Sequence, residues 1–199
     1  GWQQIDGYYY YLIPTGADKG SLQTNCIAGT KKDGFYYTDK TGRQIDTPEI
    51  NAAVKFIKNY TKDHWTSAEK LQKCFEILQQ HYYYLPSQVN PTAQKLSAFA
   101  YDLLTNERGN CYRYAAGFAC IAKVLGYDCR IHIGNIDGRY GELLPHGWTE
   151  VKKDGIWCKC DVNMNLFMHS GTTIHEYKCL ETYKLLTQNG KVYWKMSQN

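Results

Sequence analysis

The spacing of apolar residues changes twice along the 199-residue chain, and each spacing predicts a different kind of element. Up to about Asp46, short aromatic runs alternate with Asp-Gly and Thr-Gly pairs, which is typical of small β-hairpins. From Thr47 to about Gly126, apolar residues recur at helical spacing, and beyond Gly126 the period shifts towards that of strands. Helices followed by an antiparallel sheet predict an α+β fold. The predicted strands cover residues 129–134, 147–153, 156–162, 177–186 and 191–196.

The helical part of the chain contains signals that set where its first helices begin. Thr47 is an N-cap followed by Pro48, and proline suits the first helical position. Thr66 and Glu69 have the spacing of a capping box. A further short helix is expected over residues 98–104.

The strongest predicted helix runs from about Cys111 to Leu125. Asn110 is a good N-cap, and Gly126 suits the left-handed conformation that ends many helices. Cys111 therefore lies in the first turn. Free amide hydrogens and the helix dipole at that end favour a thiolate, which is the nucleophilic form of cysteine.

A tight turn at Asp154-Gly155 predicts which residues of the sheet lie opposite each other. If these two residues form the centre of a hairpin turn, Trp148 lies opposite Asp161. His146 lies two residues before Trp148, so it faces the same side and is a diagonal neighbour of Asp161. We therefore expect the imidazole and the carboxylate to be within reach of each other.

Cys111, His146 and Asp161 have the chemistry of a nucleophile, a base and an orienting group. Cys111 would attack a carbonyl carbon, while His146 takes the thiol proton and later protonates the leaving amine. Asp161 would fix the imidazole tautomer and stabilise its cation. The backbone amide of Cys111 would donate to the oxyanion. Candidates for a second donor are Tyr83, Tyr101 and Asn106.

Short motifs between Tyr101 and Val162 have the order and spacing of a known family. They are residues 100–104, 109–111, 114–115, 125–130, 146–148, 154–157 and 160–162. Through them the chain resembles the transglutaminase-like cysteine peptidase superfamily, in its bacterial branch. The resemblance implies a papain/transglutaminase-like core whose catalytic-cysteine helix packs on an antiparallel sheet, with Cys111, His146 and Asp161 as the triad. It also implies a cofactor-free hydrolase that cleaves peptide or isopeptide-type amide bonds through a thioacyl-enzyme.

Two positions near the triad depart from the pattern of that family. Gly147 stands where the family usually has alanine, and Arg113 stands where it often has glycine. Arg113 would add positive potential near the thiolate or narrow the substrate cleft. Trp148 would either line that cleft or pack in the core.

Residues 1–46 contain two similar aromatic units, which we predict to be a small module before a catalytic domain over residues 47–199. Each unit is a hairpin too small to bury its own aromatic face, so stacked hairpins would bury it together. The units resemble the cell-wall-binding repeats of Gram-positive surface proteins. That resemblance implies a pocket for a cationic or sugar ligand, such as a cell-wall glycan or a teichoic acid; a packing or spacer role is the alternative. The aromatic face would comprise Trp2, Tyr9, Tyr10, Tyr36 and Tyr37.

Charge, the length of apolar runs and cysteine spacing disfavour several other classes of function. The net charge of +4 comes from scattered basic residues, which argues against a nucleic-acid patch. No apolar run approaches the length of a membrane span. Cys158 and Cys160 are expected on the face away from His146, and their Cys-x-Cys spacing lacks a second pair, which disfavours a metal site.

The chain starts at Gly1 within a patterned segment, which is typical of a mature or trimmed chain, so the lack of a signal peptide does not argue against export. We expect an extracellular or cell-wall-associated enzyme that acts on a peptide or protein substrate. The alternatives are a non-catalytic cell-wall-binding protein and a protein-crosslinking transglutaminase.

Overall fold

The computed structural model describes residues 1–86 and 89–197, which form four helices and thirteen strands. The helices are α1 (Pro48–Tyr60), α2 (Ser67–His81), α3 (Ala93–Asn106) and α4 (Cys111–Val124). The predicted capping box at Thr66 and Glu69 is present at the start of α2. The helix predicted over residues 98–104 is longer than expected at both ends and becomes α3. None of the helices in the described ranges is long and apolar enough to cross a membrane.

The six strands of the main sheet are all antiparallel and follow the order β11-β10-β9-β8-β12-β13. They are β8 (Cys129–Asp137), β9 (Leu143–Lys153), β10 (Ile156–Asp161), β11 (Leu166–His169), β12 (Tyr177–Gln188) and β13 (Lys191–Ser197). The predicted α+β fold is therefore confirmed. The short edge strand β11 was not predicted from the sequence.

Helix α4 packs on the centre of this sheet, as the resemblance implied. The hydroxyl of Thr149 in β9 donates to the carbonyl oxygen of Ala115 in α4 at 2.8 Å. Fully buried apolar residues on both sides, such as Phe118 in α4 and Ile131 in β8, join one hydrophobic core. Thirteen of the fourteen α4 residues are buried, which fixes the position of its first residue.

The turn between β9 and β10 has the predicted geometry. Asp154 and Gly155 both have positive φ, at 50° and 82°, as a two-residue hairpin turn of this type requires. Lys153 pairs with Ile156, and the register continues without a bulge to the pair of Thr149 and Cys160.

The N-terminal segment forms two small sheets. Their strands are β1 (Trp2–Ile5) with β2 (Tyr8–Tyr11), and β3 (Cys26–Thr30) with β4 (Gly34–Thr38) and β5 (Gln44–Ile45). The first hairpin turns at Asp6 and Gly7, both with positive φ. The second differs from the prediction because only Gly34 of its Asp-Gly pair has positive φ. There the amide of Asp33 donates to the hydroxyl of Thr30, which closes a longer loop.

The N-terminal sheets pack against the rest of the chain. Tyr37 and Ile45 are fully buried in the same core as the helices. The Tyr37 hydroxyl donates to Asn25 Oδ1 at 2.8 Å, and Asn25 Nδ2 donates to the carbonyl oxygen of Gly126 at 2.9 Å. One hydrophobic core thus extends across residue 46. The division into domains at that point stays a prediction.

The last two short strands position a loop beside the start of α4. β6 (Tyr83–Tyr84) and β7 (Arg108–Gly109) form a parallel pair. The Leu85 amide donates to the carbonyl oxygen of Gly109 at 2.9 Å, so the chain after α2 is held next to Cys111.

Candidate active site

Cys111 is the first residue of α4 and only 4% of its surface is exposed. The Asn110 side chain accepts a hydrogen bond from the Arg113 amide at 3.2 Å, which is the predicted N-cap. This cap fixes the helix start, so the thiol lies where amide hydrogens without helical partners point outwards.

His146 in β9 and Asp161 at the end of β10 form a short hydrogen bond, with 2.6 Å between Nε2 and Oδ2. Asp161 is almost completely buried. Its other oxygen accepts the backbone amides of Asn163 and Met164, and Oδ2 also accepts the hydroxyl of Tyr177 at 2.9 Å. The carboxylate is held through both oxygens, and the imidazole that it contacts is held with it.

The electrostatic environment of His146 favours its protonated form. Burial alone would lower its pKa, but hydrogen bonds to Asp161 and Cys111, together with the negative charges of those two groups, raise the pKa to about 9. The imidazole thus interacts with a carboxylate on one side and a thiol on the other.

A cleft of about 370 Å³ opens beside Cys111. Its lining comes from the segment between α2 and α3, from the start of α4 and from the beginning of β9. The residues are Tyr84, Pro86, Val89, Asn90, Asn110, Cys111, Tyr112 and Pro145. The cleft gives a substrate access to an otherwise buried thiol.

Sequence comparison assigns a family to this arrangement. The family model described as the transglutaminase-like superfamily matches residues 50–162, which run from within α1 to the end of β10 and include all three residues of the predicted triad. The chain belongs to the transglutaminase-like superfamily.

Comparison with curated protein sequences finds no match. Among solved structures, the chain is similar to a "putative cysteine protease" from Cytophaga hutchinsonii, with 12% sequence identity and a TM-score of 0.44. The similar region covers 77% of this chain and spans 61% of that protein.

In this transglutaminase-like chain, Trp148 is a buried neighbour of His146. Only 3% of its surface is exposed, and its ring stacks with those of His132 and His146 at centroid distances of 5.2 and 6.3 Å. Tyr177 contacts it edge-on at 4.9 Å. The structure therefore places Trp148 in the packing that holds the imidazole, and not on the cleft.

Arg113 lies on the side of α4 that faces α3. Its Nε contacts Asp102 Oδ2 at 2.6 Å, and its guanidinium lies 4.7 Å from the centre of the Phe99 ring. It does not line the cleft described above. Its contacts join α4 to α3.

Tyr84 is a site residue that the sequence did not indicate. Burial, together with the charge and hydrogen bonding of Cys111, raises the pKa of its hydroxyl. The sequence suggested Tyr83 instead, but that residue is 76% exposed and does not line the cleft. The other two candidates are Tyr101, which is exposed, and Asn106, which donates to Asp102 at 2.5 Å; neither lines the cleft.

The predicted aromatic face of the N-terminal units is divided between core and surface. Trp2 contacts Tyr11 and Tyr36 edge to face, at 5.0 and 5.6 Å, while Tyr37 is fully buried. These four residues serve packing within the protein.

Of the two remaining residues of that face, Tyr10 lies next to Arg43. Its guanidinium lies 4.1 Å from the centre of the Tyr8 ring, and its Nε donates to the Tyr10 hydroxyl at 3.3 Å. Arg43 therefore lies over Tyr8, which is outside the predicted face, and bonds the hydroxyl of Tyr10, which belongs to it. Tyr9 is 46% exposed and is the member of the set most open to a ligand.

Proposed function

We propose that the chain is a cysteine peptidase or amidase in which Cys111, His146 and Asp161 form a catalytic triad. The observation that carries this proposal is the hydrogen-bonded series from Asp161 through His146 to Cys111 at the start of a buried helix. Membership of the transglutaminase-like superfamily supports the same reaction type.

The reaction would proceed through a thioacyl-enzyme. The Cys111 sulfur attacks the carbonyl carbon of an amide, and the C–N bond breaks as His146 protonates the leaving amine. Water, activated by the neutral imidazole, then hydrolyses the thioester and restores the thiol. Asp161 holds the imidazole in the required orientation throughout.

The oxyanion would be stabilised by the Cys111 backbone amide and by a second donor. Tyr84 is our candidate for that donor because its hydroxyl interacts with Cys111 and its ring lines the cleft. We propose Tyr84 in place of the three donors suggested by the sequence.

We further propose an extracellular or cell-wall-associated location, with a peptide or an isopeptide-type amide as the substrate. The support is the resemblance of the N-terminal aromatic units to wall-binding repeats, with Tyr9 as the most accessible ring. A wall glycan or teichoic acid is the proposed ligand of those units.

The triad is tested by comparing the reactivity of Cys111 towards iodoacetamide at mildly acidic pH. We expect Cys111 to lose roughly 10²-fold or more in labelling rate in a His146→Gln variant, because general-base assistance contributes that much. Cys120, which is fully buried in the same helix, is the internal control and should stay unlabelled. If Cys111 reacts equally fast in both proteins, the proposed triad is wrong.

The reaction itself is tested with peptide libraries and peptidoglycan fragments, using Cys111→Ala as the inactive control. Free acid as the product indicates hydrolysis, while incorporation of an added primary amine indicates crosslinking. Cosedimentation with wall fragments by both proteins, without turnover of any amide, would favour the non-catalytic binding protein instead.

A further inference from the structure

A second cluster of cysteine, histidine and carboxylate lies on the same sheet, next to the proposed triad. His132 in β8 has its Nδ1 3.1 Å from the Cys179 sulfur in β12. Its Nε2 is 2.9 Å from Glu150 Oε2 in β9. The His132 ring stacks on Trp148, which stacks in turn on His146. Trp148 thus separates two thiol–imidazole–carboxylate clusters.

A β-bulge in β12 brings the thiol to this position. The register between β12 and β8 shifts between Cys179 and Glu181, so Leu180 is an extra residue in β12. Without it, Cys179 and Thr182 would point to opposite faces of the sheet, since they are an odd number of residues apart. With it, both side chains reach His132 Nδ1, at 3.1 and 2.8 Å. Bulges re-aim side chains in this way near functional sites.

The carboxylate of this cluster stays ionised. Burial opposes ionisation of Glu150, but its close contacts with His132 and Arg130 and the positive charges of those two groups lower its pKa to about 2. Among the described residues, His132 Nε2 has no well-aligned hydrogen bond, so Glu150 acts on the ring mainly through its charge. The Glu150 carboxylate thus places a negative charge 2.9 Å from His132 Nε2.

The sulfur has a further polar neighbour, and its residue is only half-buried. The Thr182 hydroxyl lies 3.4 Å from the Cys179 sulfur and can donate to a thiolate there. Cys179 is half-buried, and Leu180 beside it is 57% exposed. β13 pairs with β12 only from Thr182 onwards, so among the described residues Cys179 has a strand partner on one side.

The arrangement suits chemistry at sulfur. Cys179 does not lie at a helix start, where several amides without helical partners converge and can stabilise an oxyanion, so acyl transfer is disfavoured. The thiol and the carboxylate contact opposite nitrogens of one ring, so they cannot bind the same metal ion. Thiol–disulfide exchange needs only a thiolate and access to it.

We infer that Cys179 is a second activated thiol, which exchanges with small disulfides to form a mixed disulfide. His132 Nδ1 takes the thiol proton, and the Cys179 sulfur attacks one sulfur of the disulfide. The S–S bond of the small molecule breaks as the new one forms, and the leaving thiolate takes the proton from His132. This inference does not require Cys111 to be catalytic.

Neighbouring charges on every adjacent strand bear on this exchange. Arg130 and Glu150 face His132 from β8 and β9. Lys159 from β10 lies over the Tyr177 ring at 3.6 Å, and Glu181 in β12 accepts the Tyr183 hydroxyl. A neutral disulfide is therefore the least biased probe.

The test follows reaction of the Cys111→Ala protein with hydroxyethyl disulfide at pH 6, with each mixed disulfide quantified by peptide mass spectrometry. The matched control is Cys26, which is also half-buried and whose sulfur, within the described part of the chain, has polar contacts with Gln23 and Thr38 but with no histidine. We expect Cys179 to react roughly 10-fold faster than Cys26 or more, because an ordinary thiol is almost fully protonated at this pH. Equal rates at the two cysteines would overturn the inference.

Two variants distinguish activation of the Cys179 thiol by His132 from a high rate that is due only to the exposure of Cys179. His132→Gln should bring the Cys179 rate close to that of Cys26, while the rate at Cys26 stays unchanged. Glu150→Gln keeps the ring and the thiol in place and should slow Cys179 several-fold; it is decisive if His132→Gln does not fold. An unchanged Cys179 rate in a folded variant of either kind would overturn the inference.

Discussion

At the scale of single residues, the state of His146 decides the chemistry of the proposed triad. Its pKa of about 9 is a balance in which contacts with Asp161 and Cys111 outweigh burial. Removing one of those contacts while keeping the shape of the side chain should therefore lower the pKa. The contact with Asp161 is one hydrogen bond, with 2.6 Å between Nε2 and Oδ2.

The raised pKa of His146 predicts how stability depends on pH. An imidazole whose pKa is about 6.5 when unfolded and about 9 when folded contributes its full stabilisation below pH 6.5. That contribution is lost as the pH rises through 9. Between pH 6.5 and 9.5 the wild type should lose more unfolding free energy than Asp161→Asn, by an amount on the order of a few kcal/mol.

Urea unfolding of both proteins at the two pH values measures this difference. Groups other than His146 titrate in both proteins and cancel in the comparison. Equal losses of unfolding free energy would show that Asp161 does not hold the imidazole in its charged form.

At the scale of elements, the contact of α4 with β9 depends on the absence of one side chain. A Cβ atom on Gly147 would lie 2.6 Å from the Cδ1 atom of Tyr112. Tyr112 is the second residue of α4, and its ring lines the cleft next to Cys111. The glycine that departs from the family pattern is therefore matched to the tyrosine that it faces.

Gly147→Ala should destabilise the protein by about 1–3 kcal/mol, because the added methyl group must displace the Tyr112 ring. Adding Tyr112→Leu should recover most of that loss, since the shorter side chain leaves room for the methyl. Denaturant unfolding of both single variants and the double variant gives the coupling energy. Additive losses in the double variant would contradict the proposed contact.

The elements predicted from the sequence are those fixed by neighbouring residues. The capping box at Thr66 and the turn at Asp154 each act within a few residues, so the start of α2 and the register of β9 with β10 followed from them. The contact between His146 and Asp161 was predicted because this register places the two residues next to each other.

The features that were missed depend on contacts between distant segments. Tyr84 reaches Cys111 through the parallel pair of β6 and β7, and Tyr177 reaches Asp161 from another strand. The bulge at Leu180 is set by pairing with β8 and has no local signal. The spacing of apolar residues within one segment carries no information about contacts between distant segments.

At the scale of the whole molecule, the N-terminal sheets and the helices share one core. Tyr37 is buried in that core, and its hydroxyl bonds Asn25 at 2.8 Å. The aromatic residues of β4 therefore contribute to the stability of the part of the chain that holds the proposed triad.

Tyr37→Ala should lower the unfolding free energy of the whole chain by about 3–5 kcal/mol, through loss of a large buried side chain. Tyr37→Phe is the matched control and should cost only about 1 kcal/mol, because it removes the hydrogen bond alone. Both changes should shift a single cooperative transition in thermal unfolding. A separate early transition confined to the N-terminal part in Tyr37→Ala would show that it unfolds independently.

The bond between Asn25 and Gly126 also bears on how the chain folds during synthesis. The two residues are 101 positions apart. A ribosome adding about 5–20 residues per second needs roughly 5–20 s to cover that interval. An isolated hairpin closes in about 1–10 μs and is marginal on its own, so it would open and close many times while it waits. The tyrosine-rich strands therefore stay exposed in the nascent chain until the end of α4 emerges.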